Sequence, residues 1–220
     1  MRKYNNILTD KKDDFRSSFA STKFGQRKIK KALKELEKIK VRPIASSNEV
    51  SEYWRPHFGW GWADDDTDGQ NTRAEILIDH SLGDWDEAVV YNEDESRVIS
   101  GLWLCAFTGK YYRDASELDI DHIVPLEEAW LSGAHKWSKK RSHAYGMGRG
   151  IISRKNSWLL PVSKSANRSK GSRTPEKWMP PDYDYWAQYC VLWIITKKHW
   201  KMSMTRKEKE RLEAILMAHI

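Results

Sequence analysis

Cysteine is scarce in this chain: 220 residues hold only Cys105 and Cys190. Two such distant residues cannot build a disulfide framework, and the absence of a Cys-x-x-Cys pair leaves no support for a zinc knuckle. Long apolar runs are missing too. None approaches the roughly 18–20 residues that a membrane helix needs, so no membrane partner is expected. The opening stretch MRKYNNILTDKKDD has no apolar core behind its basic residues, which reads against a secretory leader. These absences lead to the expectation of a cytoplasmic protein. Internal repeats and low-complexity tracts are also lacking, which excludes solenoids, while residues 1–23 are polar and read as loosely ordered.

What is present is charge, tryptophan and an uneven distribution of both. Net charge is +7 and there are 12 tryptophans. The first 50 residues carry 14 basic and 6 acidic side chains, and residues 151–220 carry the same numbers. Residues 51–100 reverse this, with 3 basic and 13 acidic. A polyanion such as DNA is therefore a candidate partner, and the two ends are where it would be held. No heptad pattern announces self-association, so oligomeric state stays open.

The pattern along the chain predicts mixed helix and sheet. In FGQRKIKKALKELEKIKV the apolar residues Ile29, Ala32, Leu33, Leu36 and Ile39 fall on one face of a helix whose other face is mostly lysine. Pro43 ends it, and IASSNEV reads as a linker. An aromatic cluster and an acidic turn follow, then a short helix over Arg73–Ile78. AVVYNEDESRVISGLWLC predicts two strands around a polar turn, and ELDIDHIV a third strand that Pro125 ends. Residues 134–155 read as an irregular basic excursion. WLLPVSKSANRSKG then reads as a short strand running into a helix start. DYDYWAQYCVLWIITKKHW predicts a buried helix, with Trp186, Trp193 and Trp200 as core together with the preceding Trp178. TRKEKERLEAILMAHI opens with Thr205 and Glu208 in capping-box spacing.

An Asp-His pair, Asp121-His122, inside Ile120, Ile123 and Val124 is unusual for a core strand. Asp121 offers a hard oxygen ligand, and His122 a base whose ordinary pKa of about 6.5 suits proton transfer near neutrality. Neighbours in a regular strand face opposite ways, so both serve one site only where the pleat breaks, near Pro125. Downstream, SANRSKG supplies Asn167 as a neutral oxygen ligand, with Arg168 and Lys170 beside it for phosphate. Hydrolysis of a phosphodiester by a single hard metal needs these three kinds of group.

In this order the blocks DIDHIVPLEEAWLSGAHKW, NRSKGSRTPEKWMPP and YCVLWIITKKHW resemble the HNH branch of the ββα-metal nucleases, in particular the small bacterial HNH endonucleases, many of them secreted. The upstream FGWGWADDDTDGQNTRAEIL is similar to the same family, and the resemblance runs from about Tyr53 to the C-terminus. It implies an α+β fold: a ββα-metal core with a small antiparallel hairpin, Asp-His on its second strand, surrounded by helices, plus a basic N-terminal helix. Residues 1–46 would be a helical extension and 47–220 the nuclease domain, with a catalytic core at about 97–180 and C-terminal helices over 182–219.

The resemblance implies a role for each matched residue. His122 would be the general base, Asp121 and Asn167 would hold one Mg²⁺ or Mn²⁺ per active site, and Arg168 and Lys170 would contact phosphate. The family's middle asparagine falls at Trp158, with Asn156 two residues earlier, so one of these would support the site. Arg73 and Asp64 are possible accessory residues. Secreted relatives tend to carry a cysteine near Gln70, and its absence here fits an intracellular version. The implied function is a metal-dependent DNA endonuclease of low sequence specificity that nicks or cuts both strands, in a phage, mobile-element or defence setting. Alternatives are a nucleic-acid-binding protein without catalysis and a ribonuclease or toxin-like nuclease, since RNA is not excluded as substrate.

Overall fold

The lysine-rich segment is helix α1, Lys23–Glu37, capped by the Thr22 hydroxyl accepting from Gly25 N at 3.0 Å. Its buried face is Ile29, Ala32 and Leu36, as the period requires. This face packs on two C-terminal helices, α6 (Trp186–His199) and α7 (Arg206–Met217), and shares one core with them. The structure is a computed structural model and describes residues 19–43, 52–82, 89–149 and 158–220. The expected linker, the boundary at 46/47 and Asn156 lie outside the described residues.

Among the described residues, seven α-helices and three small sheets make an α+β architecture. Helix α2 is Thr72–Asp79, α3 is Leu126–Leu131, α4 is Lys139–Gly146 and α5 is Lys164–Lys170. Strands β2 (Val90–Tyr91), β3 (Val98–Cys105) and β4 (Lys110–Asp114) form an antiparallel sheet, with Gly101, Trp103 and Cys105 on the buried side of β3. Two-residue strands β1 (Val41–Arg42) and β7 (Met204–Thr205) pair in parallel.

The pairing of the Asp-His strand differs from expectation. Strand β5 (Leu118–His122) does not close a hairpin with the strands before it. It pairs antiparallel with β6 (Leu159–Ser163), from Leu118 opposite Ser163 to His122 opposite Leu159. The cause is burial. All five residues of β6 are buried, as are Leu118 and Ile120 through His122, so each strand completes the other's ladder away from water. Of the upstream strands, β3 pairs antiparallel with β2 on one side and on the other with β4, a strand not predicted above. The excursion between β5 and β6 also contains α4, unforeseen because Lys139-Lys140-Arg141-Ser142-His143 shows no apolar stripe. It is capped by Ser138, whose hydroxyl accepts from Arg141 N.

Helix α6 is buried on almost every side, and Tyr189, Cys190, Trp193 and Ile194 have no exposed surface. It also carries Lys197, whose fully buried ammonium donates to Glu128 Oε1 at 2.6 Å, Ser132 Oγ at 3.0 Å and the Ser203 carbonyl at 3.0 Å. The same ammonium lies 2.6 Å from Glu208 Oε1, the capping-box glutamate of α7. Arg42 adds a second cation, at 3.0 Å from Glu128. Burial alone would raise the Glu128 carboxyl, but Lys197 and Arg42 together hold it below its ordinary value. Glu208 has Lys197 as its cation and also accepts from Trp193 Nε1 at 2.6 Å, yet burial pushes its carboxyl up.

Removing one member of such a network strands the others without compensation. Lys197→Met is expected to destabilise the fold by about 3–5 kcal/mol, whereas Lys198→Met, at a half-exposed position, should cost less than about 0.5 kcal/mol. Urea unfolding of the two variants checks this, and equal midpoints would show that the network does not hold α3, α6 and α7 together.

Candidate active site

Strand β5 ends at His122, and Ile123 N continues the ladder by donating to the Trp158 carbonyl at 2.8 Å. Past that point Pro125 starts α3, so the chain turns away and leaves a cleft at the strand end. The cleft encloses about 320 Å³ and is lined by Asp121, His122 and Asn167, with Tyr53, Arg55, Trp62 and Glu127 around them. The Asp-His strand and the Asn-bearing helix α5 therefore share one concavity. The helix starts where β6 stops because the Ser163 hydroxyl accepts from Ala166 N at 3.3 Å.

His122 is buried and held from three sides. Its Nε2 lies 3.0 Å from the Gly146 carbonyl. A carbonyl can only accept, so Nε2 carries the proton and Nδ1 keeps a free lone pair. Trp62 stacks on the ring at 5.8 Å with 13° between planes, and Tyr145 packs beside it at 5.6 Å. Burial, with the positive charges of Lys170 and Arg55, lowers the His122 pKa to about 3. Burial therefore favours the neutral imidazole, the form that can accept a proton, and at the same time makes it a weaker base than a solvated one.

Gly146 is needed where it stands. A Cβ there would lie 2.3 Å from the Phe58 carbonyl oxygen, so no larger residue lets α4 approach the Arg55–Phe58 turn and still present its carbonyl to His122.

Asp121 and Lys170 form a buried ion pair. The Lys170 ammonium donates to both Asp121 oxygens, at 2.7 and 2.9 Å, and to the His122 carbonyl at 2.6 Å. Burial pushes the Asp121 carboxyl up and the Lys170 ammonium down, and each opposes the shift of the other. Lys170 has no exposed surface, so it is not placed to touch a substrate phosphate, the role the resemblance implied. It is an internal counter-ion that ties α5 to β5.

Asn167 donates Nδ2 to Asp119 Oδ2 at 3.0 Å, which leaves its amide oxygen for a cation. Asp119 was missed in the sequence, although it lies two residues before Asp121 and so on the same side of a regular strand. Arg55, Tyr53 and Trp62 were missed as well, and no local pattern marks them, because only folding carries that segment to the strand end.

The remaining expected residues lie around the cleft rather than in it. Arg168 is exposed and does not line it. Trp158 supports the site from beneath, donating Nε1 to the Tyr145 carbonyl at 3.0 Å and stacking on that ring at 7° between planes. Arg73 clamps the start of β5, donating to the carbonyls of Ala115 at 2.8 Å and Leu118 at 3.0 Å. Asp64 belongs to an exposed acidic turn and accepts from Gly69 N at 3.0 Å. Arg73 also borders a larger groove, about 450 Å³, with Arg97 and Asp114, but that groove has no base beside a ligand set.

No family model and no solved structure matches the chain. Part of it is similar to an uncharacterized secreted protein of Arthroderma benhamiae, with 36% identity over 117 residues. The match covers 53% of this chain and 55% of that protein, so it spans about half of the relative's length. It corrects two expectations. A cytoplasmic location is overturned by likeness to a secreted chain. The function framed around that location, a DNA endonuclease working inside the cell for a phage or defence system, falls with it. The cysteines carry no counter-argument, because Cys105 and Cys190 are wholly buried core groups, and a thiol hidden in a core does not report its compartment. Burial, against the opposing charge of Arg211, pushes the Cys190 thiol up to about 12.

The Asp121–Lys170 pair generates a double-mutant test. Lys170→Met should lower stability by about 3–5 kcal/mol by stranding a buried carboxylate. Adding Asp121→Leu to it should restore much of that loss. Chemical denaturation of both single variants and the double variant reads the coupling, and simple additivity would mean that the pair is not a unit.

Proposed function

We propose that the cleft is a hydrolase site of the ββα-metal (HNH) type, which cleaves phosphodiester bonds of nucleic acid outside the cell. The observation that carries this reading is the convergence of Asp121, His122 and Asn167 on one cleft from a strand–strand–helix unit, with the His122 Nδ1 lone pair left free by the Gly146 carbonyl. Export is taken over from the secreted relative. The enzyme proposed here thus differs from the cytoplasmic one in where it meets its substrate.

The residues fit a hard divalent cation. Lys170 engages each Asp121 oxygen once, and a carboxylate has about four lone-pair sites, so two remain for a cation. Asn167 adds a neutral oxygen, and among the described residues neither sulfur nor a second imidazole lines the cleft to favour a softer metal. Asp121 and Asn167 would hold one Mg²⁺ or Mn²⁺, which supplies charge neutralisation at the scissile phosphate.

The chain's own groups then have separate tasks. His122 Nδ1 takes the proton of a water whose oxygen bonds to phosphorus. The phosphorus–oxygen bond to the departing sugar breaks, and that oxygen takes a proton from solvent. Arg55, the exposed cation on the cleft wall, faces the phosphate in place of Lys170. Trp62 covers one face of the imidazole and keeps its ring plane fixed.

The test is conversion of supercoiled plasmid, and of RNA in parallel, with Mg²⁺ or Mn²⁺ and with EDTA. Cleavage should require the metal. It should fall at least about 10²-fold in His122→Ala, the scale of a lost general base, and comparably in Asn167→Ala. Intact substrates with every metal would overturn the reading.

A further inference from the structure

The segment WRPHFGWGW, Trp54–Trp62, has a feature that the hydrolytic chemistry leaves unused. Trp62 lies over His122, but its neighbour Trp60 is 86% exposed and Trp54 is 54% exposed. Burying a large aromatic contributes about 1.5–3 kcal/mol, so leaving two indoles in water forgoes a substantial gain. Their support is rigid. Phe58 is buried and packs edge-on against Tyr145 at 6.0 Å, and His57 does the same against Trp130 at 5.0 Å. Gly59 and Gly61, on either side of Trp60, have φ of +114° and +87°. A Cβ on Gly61 would meet nothing within 4 Å, so that glycine serves the backbone conformation rather than close packing. The turn therefore holds Trp60 outward on a fixed base.

We propose that Trp54 and Trp60 are a stacking platform for unpaired bases, which makes single-stranded nucleic acid the favoured ligand of the neighbouring cleft. This rests on the hydrolase reading for the direction in which the strand runs, from the indoles toward His122. Arg55 joins the two parts. It follows Trp54 directly in the chain and lines the cleft beside Tyr53 and Trp62, so a strand with bases on the indoles can lay its phosphates along the guanidinium. Arg55 selects the occupant: within a stretch, residues 51–100, that is otherwise acidic, it is the cation lining the cleft, and a phosphate gains there what a neutral chain does not. The base faces of a duplex are already covered by their neighbours, whereas an unpaired base offers its π face to an indole.

The experiment separates binding from cleavage. Quenching of tryptophan fluorescence in EDTA is titrated with a short oligothymidylate, with the blunt duplex it forms with the matching oligodeoxyadenylate, and with a neutral oligosaccharide. The single strand should bind best. Trp60→Ala should weaken it about tenfold, the scale of one lost base–aromatic stack, with Trp54→Ala acting in the same direction and Trp60→Phe recovering most of the loss. In Mg²⁺, Trp60→Ala should raise KM for a single-stranded substrate and leave kcat unchanged. Unaltered single-strand affinity in both alanine variants, or preference for duplex or oligosaccharide, overturns the platform even if plasmid is cut. Tryptophan-dependent strand binding without cleavage under any metal sustains the platform and removes the hydrolase reading instead.

Discussion

The ammonium of Lys170 is the point on which the cleft depends. It is a fully desolvated charge, and such a charge persists only when its partners replace water. Here they are the two oxygens of Asp121 and the carbonyl of His122, so the last turn of α5 is fixed against the last two residues of β5. Arg73 does the corresponding work at the other end of the strand through the Ala115 and Leu118 carbonyls. With β5 pinned at both ends, the positions of Asp121, His122 and Asn167 follow from backbone geometry rather than from flexible side chains.

A buried lysine among carboxylates is not in itself a sign of chemistry. The molecule contains a second one, Lys197 with Glu128 and Glu208, and that network joins helices without opening to a cleft. What distinguishes the Lys170 pair is its surroundings. A neutral imidazole with one nitrogen committed to a carbonyl, an amide oriented by Asp119, and an exposed arginine all border the same open space. Burial keeps the imidazole unprotonated, and the stacked Trp62 keeps its ring plane fixed.

Composition pointed to a compartment that the comparison does not support. Few cysteines and a polar opening stretch pointed inward, while similarity over 117 residues connects the chain with a secreted protein. Free cysteines can accompany an exported protein when they are sealed in the core, and both thiols here are. Stability can then come from packing, as in the nearly all-apolar helix α6, instead of from disulfides.

The amphipathic stripe of α1, the largely apolar α6 and the Thr205–Glu208 capping box were legible in the sequence because each depends on residues only a few positions apart. So were Asp121, His122 and Asn167, as residue types whose chemistry is local to the side chain. Strand partnership was not. Asp121 stands opposite Leu160, 39 residues away, and nothing near β5 in the chain announces that β6 will pair with it. The same holds for Lys170, whose charge reads as phosphate-seeking until folding buries it beside Asp121. It also holds for Arg55 and Trp62, which reach the cleft only because Gly146 lets α4 pack against their turn. Local periodicity and residue chemistry determined most of the elements and the residue types of the candidate site. The tertiary structure decided their partners, because burial and charge pairing depend on contacts between segments distant in the chain.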